Sequence, residues 1–154
     1  MSKLTDVVEF RIADGYYAID VQIAREIVEM MKITPIPRAP DYITGVTNLR
    51  GEVTNIINLS KLIGLPESVA SETQKFIVLM PEVAQGSNVG IIVDDVCSVM
   101  QVDEKDVEAL GEGLSSDVTE YVKGIIKMKD DPSSNSMRLI IWIDMQRVLS
   151  QIIS

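Results

Sequence analysis

Apolar and polar residues alternate along much of this chain, and many of the apolar ones are β-branched. Residues 7–12 and 16–21 form two such runs on either side of Asp14-Gly15. Both positions of that dipeptide accept the positive φ of a two-residue turn, so the pattern predicts a β-hairpin.

A second hairpin is predicted in the segment 42–59, which reads YITGVTNLRGEVTNIINL. Two β-branched runs flank an Asn-Leu-Arg-Gly corner, and a glycine at position 51 tolerates the positive φ of a tight turn. We therefore expect Arg50 to be held out at the end of a rigid hairpin. A solvated cation beside a turn glycine is the alternative for this residue.

The rest of the pattern predicts short strands joined by loops. Residues 26–32 fit either a strand or a helix, and the prolines at 35, 37 and 40 prevent a longer helix. Further predictions are strands at 75–80, 89–94, 96–102 and 137–143, loops at 66–74 and 130–136, an acidic irregular segment at 103–120, a helical turn at 59–63, and a helix capped by Asp144 and continuing through Ile153.

The two halves of the chain resemble each other. Residues 42–46 (YITGV) match 121–125 (YVKGI), residues 56–62 match 141–148 as an apolar strand running through a polar cap into a helix, and 17–21 can be set against 89–93. Chance similarity between apolar strands is the alternative. The repeat predicts two similar β-units with thin cores, which must pack against each other.

Length and composition agree with one cytoplasmic domain. The chain has 154 residues, of which 46% are hydrophobic and 5% aromatic, so it can bury a substantial aliphatic core. The apolar runs are too short to span a bilayer, and no export signal is visible at the N-terminus. A single cysteine excludes an internal disulfide and fits a reducing compartment.

The net charge of −9 and the sequence pI near 4.5 disfavour two classes of partner. Nucleic acid and anionic lipid are both bound first through positive charge, and no basic stripe is present. We therefore expect a protein partner, with no nucleic-acid or direct membrane binding.

Most catalytic chemistry lacks its residues here. The chain has no histidine, no nucleotide-binding glycine loop and no serine-hydrolase elbow. Asp94 and Asp95 are adjacent on a predicted strand and so point to opposite faces. The acidic residues in 103–108 lack the spacing of a calcium loop. The sequence favours a binding module without enzymatic activity, cofactor or metal.

Cys97 has no base nearby in sequence, and we expect it to be a small buried residue. A small hydrolase using Cys97 or a Ser-Lys pair is the alternative from another class. Native thiol labelling discriminates between them, because rapid modification would favour the hydrolase.

Several motifs, in order along nearly the whole chain, resemble the CheW family of bacterial chemotaxis coupling proteins. They are YAIDV at 17–21, REI at 25–27, ITPIP at 33–37, ITGVTNLRG at 43–51, INL at 57–59, VGIIVDDV at 89–96 and YVKGI at 121–125. The GVTNLRG segment carries the most specific part of the resemblance.

The resemblance implies an all-β fold with short helices. In that family two SH3-like five-stranded β-barrels pack on a shared apolar core, which also accounts for the internal repeat, and here a C-terminal helix follows. The expectation is a single CheW-like domain over residues 1–154, with intertwined subdomains at roughly 15–65 and 75–145.

The resemblance further implies a non-enzymatic adaptor. Such a protein links the cytoplasmic tips of methyl-accepting chemotaxis receptors to the regulatory domain of the histidine kinase CheA. We expect it to be a cytoplasmic protein, monomeric when isolated and recruited to membrane receptor arrays.

Site residues follow from the family by position. An apolar receptor groove between the barrels is expected, with Glu26 and Arg50 as its polar anchors, and Ile36 and Arg38 are expected on the kinase-facing surface. Gly45, Gly90 and Gly124 are expected to be structural. The apolar groove residues are Val8, Val21, Ala24, Ile27, Val96 and Val99, although any of these valines also fits a barrel core.

Two settings within the family stay open besides a free-standing CheW. A CheV-type adaptor without its receiver domain and a fragment of CheA would share the same motifs. The chain starts with methionine and closes with a complete predicted helix, which favours the free-standing protein.

Overall fold

The computed structural model describes residues 3–67, 72–109, 120–129, 133 and 135–152. Within them the chain is mostly β, with two α-helices and short 3₁₀ turns. The strands are β1 (Leu4–Ile12), β2 (Gly15–Asp20), β3 (Ala24–Glu29), β4 (Ile43–Leu49), β5 (Glu52–Ile57), β6 (Lys75–Leu79), β7 (Val89–Val93), β8 (Asp95–Asp103), β9 (Val107–Glu108), β10 (Val122–Lys129) and β11 (Met137–Ile143). The helices are α1 (Leu59–Ile63) and α2 (Met145–Ser150).

These strands form two sheets. A six-stranded sheet has the order β8-β1-β2-β11-β10-β9, and a five-stranded sheet has the order β3-β6-β7-β5-β4. The predicted mainly-β fold with a short C-terminal helix is confirmed. The expected count of five strands holds for one sheet, whereas the other has six.

The sheets do not divide the chain into consecutive halves. The β1–β2 hairpin joins the later strands β8–β11, and the β6–β7 hairpin joins the earlier strands β3–β5. Each expected subdomain range, 15–65 and 75–145, therefore contributes strands to both sheets. The connections from β2 to β3 and from β7 to β8 cross between the sheets, so the described strands are linked covalently between sheets at two points.

The internal repeat is confirmed by the pairing. β2 runs parallel to β11 and β7 runs parallel to β5, while the other strand pairs are antiparallel. β5 and β11 each lead into a helix through a polar cap: Asn58 accepts a hydrogen bond from the Lys61 N–H, and Asp144 accepts one from the Arg147 N–H. Such caps satisfy N–H groups that the first helical turn leaves unpaired.

One apolar core is shared by both sheets. Residues of β1, β2, β6 and β7 meet there with α2, whose Val148 and Leu149 are buried in it. A second cluster lies on the other face of the six-stranded sheet and contains Val7, Ile140 and Trp142. β1 is therefore buried on both faces, and the thin core expected for each unit is completed by its neighbour.

Some element predictions need correction. The first hairpin turns at Ala13-Asp14 rather than at Asp14-Gly15, because Ile12 already pairs with Gly15, the first residue of β2, and it is Ala13 that has a positive φ, 53°. The ambiguous segment at 26–32 is a strand only to Glu29, and it begins earlier, at Ala24. Residues 107–108 of the segment expected to be irregular form β9, because β10 offers them a free edge. Helix α2 ends at Ser150, with a turn at 151–152. Position 153, residues 110–119 and parts of the loops at 66–74 and 130–136 lie outside the described residues.

Among the described helices, none combines the length and the apolar character needed to cross a membrane.

Candidate functional site

Strand β3, one edge of the five-stranded sheet, carries two of the residues predicted for the groove. Ala24 lies opposite Leu79 and Ile27 lies opposite Ile77 on β6. Leu79 and Ile77 are in the shared core, and directly opposed residues of an antiparallel pair face the same side. Ala24 and Ile27 are three residues apart, so a β-bulge between them is needed to keep both on the core side.

Strand β8, one edge of the six-stranded sheet, repeats this arrangement. Val96 lies opposite Phe10 and Val99 lies opposite Val8, and the register again shifts between them. Phe10 and Val8 belong to the shared core. The extra residue of this bulge is Cys97, and it brings Val96 and Val99 to the core side of the sheet.

The predicted groove residues lie at three depths. Ile27 and Val99 are exposed, at 42% and 63% of their surface. Val21, Ala24 and Val96 are half-buried and pack against the shared core. Val8 is itself a core residue beneath Val99, with 3% of its surface exposed, so it supports the groove rather than offering a contact. The structure thus places apolar residues of both edge strands over one core.

The predicted polar anchors, Glu26 and Arg50, contact each other. The Arg50 guanidinium donates a hydrogen bond to the Glu26 carboxylate. Glu26 lies opposite Val78, next in sequence to the pair Ile27–Ile77, so its side chain leaves β3 on the face away from the core. Glu26 therefore lies on the face of β3 away from the predicted groove. Its hydrogen bond with Arg50 connects β3 with the β4–β5 turn at the opposite edge of the five-stranded sheet.

Arg50 lies in the β4–β5 turn, as the sequence motif predicted, and both residues of that turn have a positive φ. Arg50 has φ 52° and Gly51 has φ 86°, the combination found in tight two-residue hairpin turns. The Asn48 side chain accepts a hydrogen bond from the Gly51 N–H. The hydrogen bond and the negative charge of Glu26 raise the pKa of the Arg50 guanidinium, which stays charged and exposed.

Ile36 and Arg38 lie together in the connection between β3 and β4. Both are exposed, and Arg38 has φ 62°. In the same connection Thr34 pairs with Val46 on β4, the edge of the sheet opposite β3. The predicted kinase-facing residues thus lie in the connection that leads from β3 to the opposite edge strand, β4.

The three glycines expected to be structural differ in how tightly they are packed. A Cβ at Gly45 would overlap the Thr34 carbonyl oxygen, and one at Gly124 would overlap the Val107 side chain. A Cβ at Gly90 would be close to the end of the Ile56 side chain, at 3.3 Å, and in ordinary contact with the Ile77 carbonyl oxygen, at 3.7 Å.

Sequence reasoning missed a buried ion pair in the six-stranded sheet. Glu9 is fully buried, and its carboxylate accepts hydrogen bonds from Arg138 Nε at 2.8 Å and Arg138 Nη2 at 2.9 Å. Ser98 Oγ donates to the same carboxylate at 3.3 Å. A signal was present, because Glu9 is the one charge in the run VVEF, where apolar residues on both faces indicate a fully buried strand.

The prediction that Cys97 is buried is wrong. As the extra residue of the β8 bulge, it has no partner on β1 and is exposed. Partial desolvation, together with the charges of Glu9 and Asp95, raises the pKa of the thiol. A thiol held in its protonated form is a poor nucleophile, so the structure does not favour a hydrolase that uses Cys97.

Two further observations concern the acidic residues. Asp94 lies between β7 and β8 rather than in a strand, and its carboxylate accepts hydrogen bonds from the Ala13 N–H and the Gln74 amide. Among the described residues no three Cys, Asp or Glu side chains are grouped to hold a metal ion.

A two-sheet β protein that leaves apolar side chains of an edge strand of each sheet exposed beside its core has the surface of a protein-binding module. The CheW-like domain family matches residues 6–152 of this chain. The chain therefore belongs to the family of CheW-like domains.

Relatives and a solved structure agree with this assignment. The chain is 33% identical to the chemotaxis protein CheW of Bacillus subtilis (strain 168), over 94% of this chain and 86% of that protein. It is 33% identical to CheW of Treponema pallidum (strain Nichols), over 79% of this chain and 72% of that protein. The crystal structure of the scaffolding protein TtCheW from Thermoanaerobacter tengcongensis superposes with a TM-score of 0.78 at 29% identity, covering 95% of this chain and 88% of that one. The chain is a chemotaxis scaffold protein and not an enzyme.

Proposed function

We propose that this scaffold couples the cytoplasmic tips of methyl-accepting chemotaxis receptors to the histidine kinase CheA. The observation that carries the proposal is the exposure of Ile27 and Val99, each on the core side of an edge strand and beside half-buried apolar residues. A helical hairpin, the form of a receptor tip in this family, can lay an apolar face into such a groove.

The kinase is proposed to bind elsewhere on the chain. Ile36 and Arg38 are exposed near the β4 edge, and the groove borders the β3 edge. Separate surfaces would let receptor and kinase bind at the same time, as an adaptor requires. We place this monomeric scaffold in the cytoplasm, recruited to receptor arrays by these two contacts.

The experiment is a calorimetric titration with a helical-hairpin fragment of a receptor tip and, separately, with the CheA regulatory domain. Ile27→Ser and Val99→Ser should each weaken receptor binding about tenfold, because each removes an exposed apolar contact at the centre of the groove. Leu139→Ser is the matched control, since Leu139 is exposed to a similar extent, at 57%, on β11.

The titration with the kinase domain separates the two surfaces. Ile36→Ser should weaken kinase binding and leave receptor binding unchanged. Saturable one-to-one binding of both partners supports the adaptor function. Equal weakening of receptor binding by Leu139→Ser, or no binding by the folded wild-type protein, would contradict it.

A further inference from the structure

Val78 of the five-stranded sheet occupies the place that Glu9 occupies in the six-stranded sheet. Glu9 lies opposite Ser98 and Ala18, next to the bulge of β8. Val78 lies opposite Glu26 and Gly90, next to the bulge of β3. The register of two strand pairs in each sheet makes these positions equivalent.

In the six-stranded sheet, the Glu9 side chain is fully buried and pairs with Arg138. Its carboxylate binds the Arg138 guanidinium through two hydrogen bonds, and the guanidinium also lies over the Tyr16 ring, 5.5 Å from its centre. Arg138 donates a further hydrogen bond to the Lys129 carbonyl. A carboxylate–guanidinium pair therefore occupies this place in the six-stranded sheet, with β1 supplying the acid and β11 the arginine.

At the equivalent place in the five-stranded sheet the acid comes from the opposite strand, where Glu26 binds Arg50, and the Val78 position leaves space. Valine has no carboxylate to offer, and a cavity of about 150 Å³ remains beside it. The cavity is lined by Arg25, Leu49, Arg50, Glu52, Thr54, Val78 and Asn88.

The charged groups around this cavity hold more hydrogen-bond donors than their neighbours use. Arg25 forms long ion pairs with the carboxylates of Glu26, at 4.0 Å, and Glu52, at 3.9 Å, but both distances are beyond hydrogen-bond range. Among the described residues, none makes a side-chain hydrogen bond to the Arg25 guanidinium, and Arg50 uses one nitrogen to bind Glu26. A guanidinium has five N–H donors and favours a planar carboxylate, so the cavity suits an anion.

The cavity is close to the proposed receptor groove. Arg25 is the extra residue of the β3 bulge, between Ala24 and Glu26, and Ala24 and Ile27 face the groove from the same strand. A partner lying along the exposed edge of β3 can contact Ile27 on one side of the strand and enter the cavity on the other.

We propose that the protein occupying the groove inserts a glutamate or aspartate side chain into this cavity, where Arg25 binds the carboxylate. The inserted acid fills, from outside, the space that the Glu9 side chain takes in the other sheet. This inference rests on the proposed receptor coupling and assigns Arg25 as a specificity-determining residue for it.

The test is a double-mutant cycle by calorimetry with the receptor-tip hairpin. Each acidic residue of the hairpin is changed to its amide in turn. Arg25→Met should weaken binding about tenfold, because it removes hydrogen bonds to a charged group. One amide substitution should weaken binding as much, and should have no further effect on Arg25→Met. Arg147→Met, which removes an exposed arginine of α2, is the matched control and should bind like wild type.

A second variant supplies the acid internally. Val78→Glu places a carboxylate where Glu9 lies in the other sheet, so it should occupy Arg25 and weaken hairpin binding about as much as Arg25→Met does. Thermal unfolding of each variant verifies that it is folded. If Val78→Glu does not fold, Arg25→Met still tests the proposal.

The outcomes separate this inference from the proposed function. Wild-type binding that Arg25→Met leaves unchanged, or that no amide substitution couples to Arg25, would overturn the inference and leave receptor coupling intact. Coupling of Arg25 to acids of the CheA regulatory domain instead would overturn the assignment to the groove partner. If the hairpin does not bind the wild-type protein, both the proposed function and the inference are overturned.

Discussion

Gly45 and Gly124 lie at equivalent bulges of the two sheets, and a neighbouring segment of the chain packs closely against each of them. Gly45 of β4 lies opposite Ile56 just after a register shift, and Gly124 of β10 lies opposite Trp142 just after another. Thr34 covers the first glycine and β9 covers the second. The sequence match of 42–46 with 121–125 thus reflects one packing requirement met twice.

Replacing either glycine by alanine should destabilise the fold by about 2–3 kcal/mol, because the new Cβ would overlap the Thr34 backbone at Gly45 and the stiff, β-branched Val107 side chain at Gly124. Gly45 adds a strained φ of 153°, and Gly124 would also place its Cβ 3.0 Å from the Glu108 carbonyl oxygen. Denaturant unfolding measures the loss. Gly90→Ala is the control and should cost less, because a flexible side chain is its nearest neighbour; a similar loss there would refute the explanation.

The two carboxylate–arginine pairs should respond oppositely to mutation. Glu9→Gln leaves the Arg138 cation without its buried partner, and we expect a loss of about 3–5 kcal/mol of stability. Arg50→Ala should leave the melting temperature unchanged within error, because its pair with Glu26 is at the surface, and should weaken receptor binding. A large fall in melting temperature for Arg50→Ala would make that residue structural.

Cys97 should be accessible to thiol reagents but slow to react at neutral pH. Only the thiolate reacts, and the raised pKa of Cys97 lowers the thiolate fraction at any given pH below that of a free cysteine. The labelling rate should therefore rise with pH and level off at a higher pH than for a cysteine peptide. Rapid labelling at pH 7 would contradict this and revive the nucleophile hypothesis.

Trp142 reports on the packing between β2, β10 and β11. Its indole N–H donates to Asp20 at 2.7 Å, and Lys123 lies over its ring while also pairing with Asp20 at 3.0 Å. Asp20→Ala should cost about 1–3 kcal/mol, because the indole N–H of a buried ring loses its acceptor. The fluorescence spectrum of Trp142, the single tryptophan, should therefore differ between the folded Asp20→Ala variant and the folded wild-type protein. An unchanged spectrum and stability would show that the hydrogen bond is dispensable.

Local sequence patterns predicted the elements whose determinants lie within a few residues. The first hairpin was also predicted, although its turn lies at Ala13-Asp14, one residue before the predicted position. The Arg50-Gly51 turn, the Asn58 and Asp144 caps and most strand positions follow from φ preferences, side-chain hydrogen bonds and alternation. The exposure of Cys97 did not, because a bulge depends on the register against another strand. The two-residue strand β9 was missed for a similar reason, since an acidic segment becomes a strand only when a neighbouring edge pairs with it.

The sequence by itself determined that this protein is a mainly-β chain with an internal repeat, without the residues of common enzymes, and with motifs resembling CheW. These properties depend on which residues are present and in what order. Only the tertiary structure decided that the β1–β2 hairpin completes the later sheet, that Glu9 binds Arg138, and that Val78 leaves the equivalent position open. Contacts between residues as distant as 9 and 138 depend on strand order and register, which no local spacing specifies.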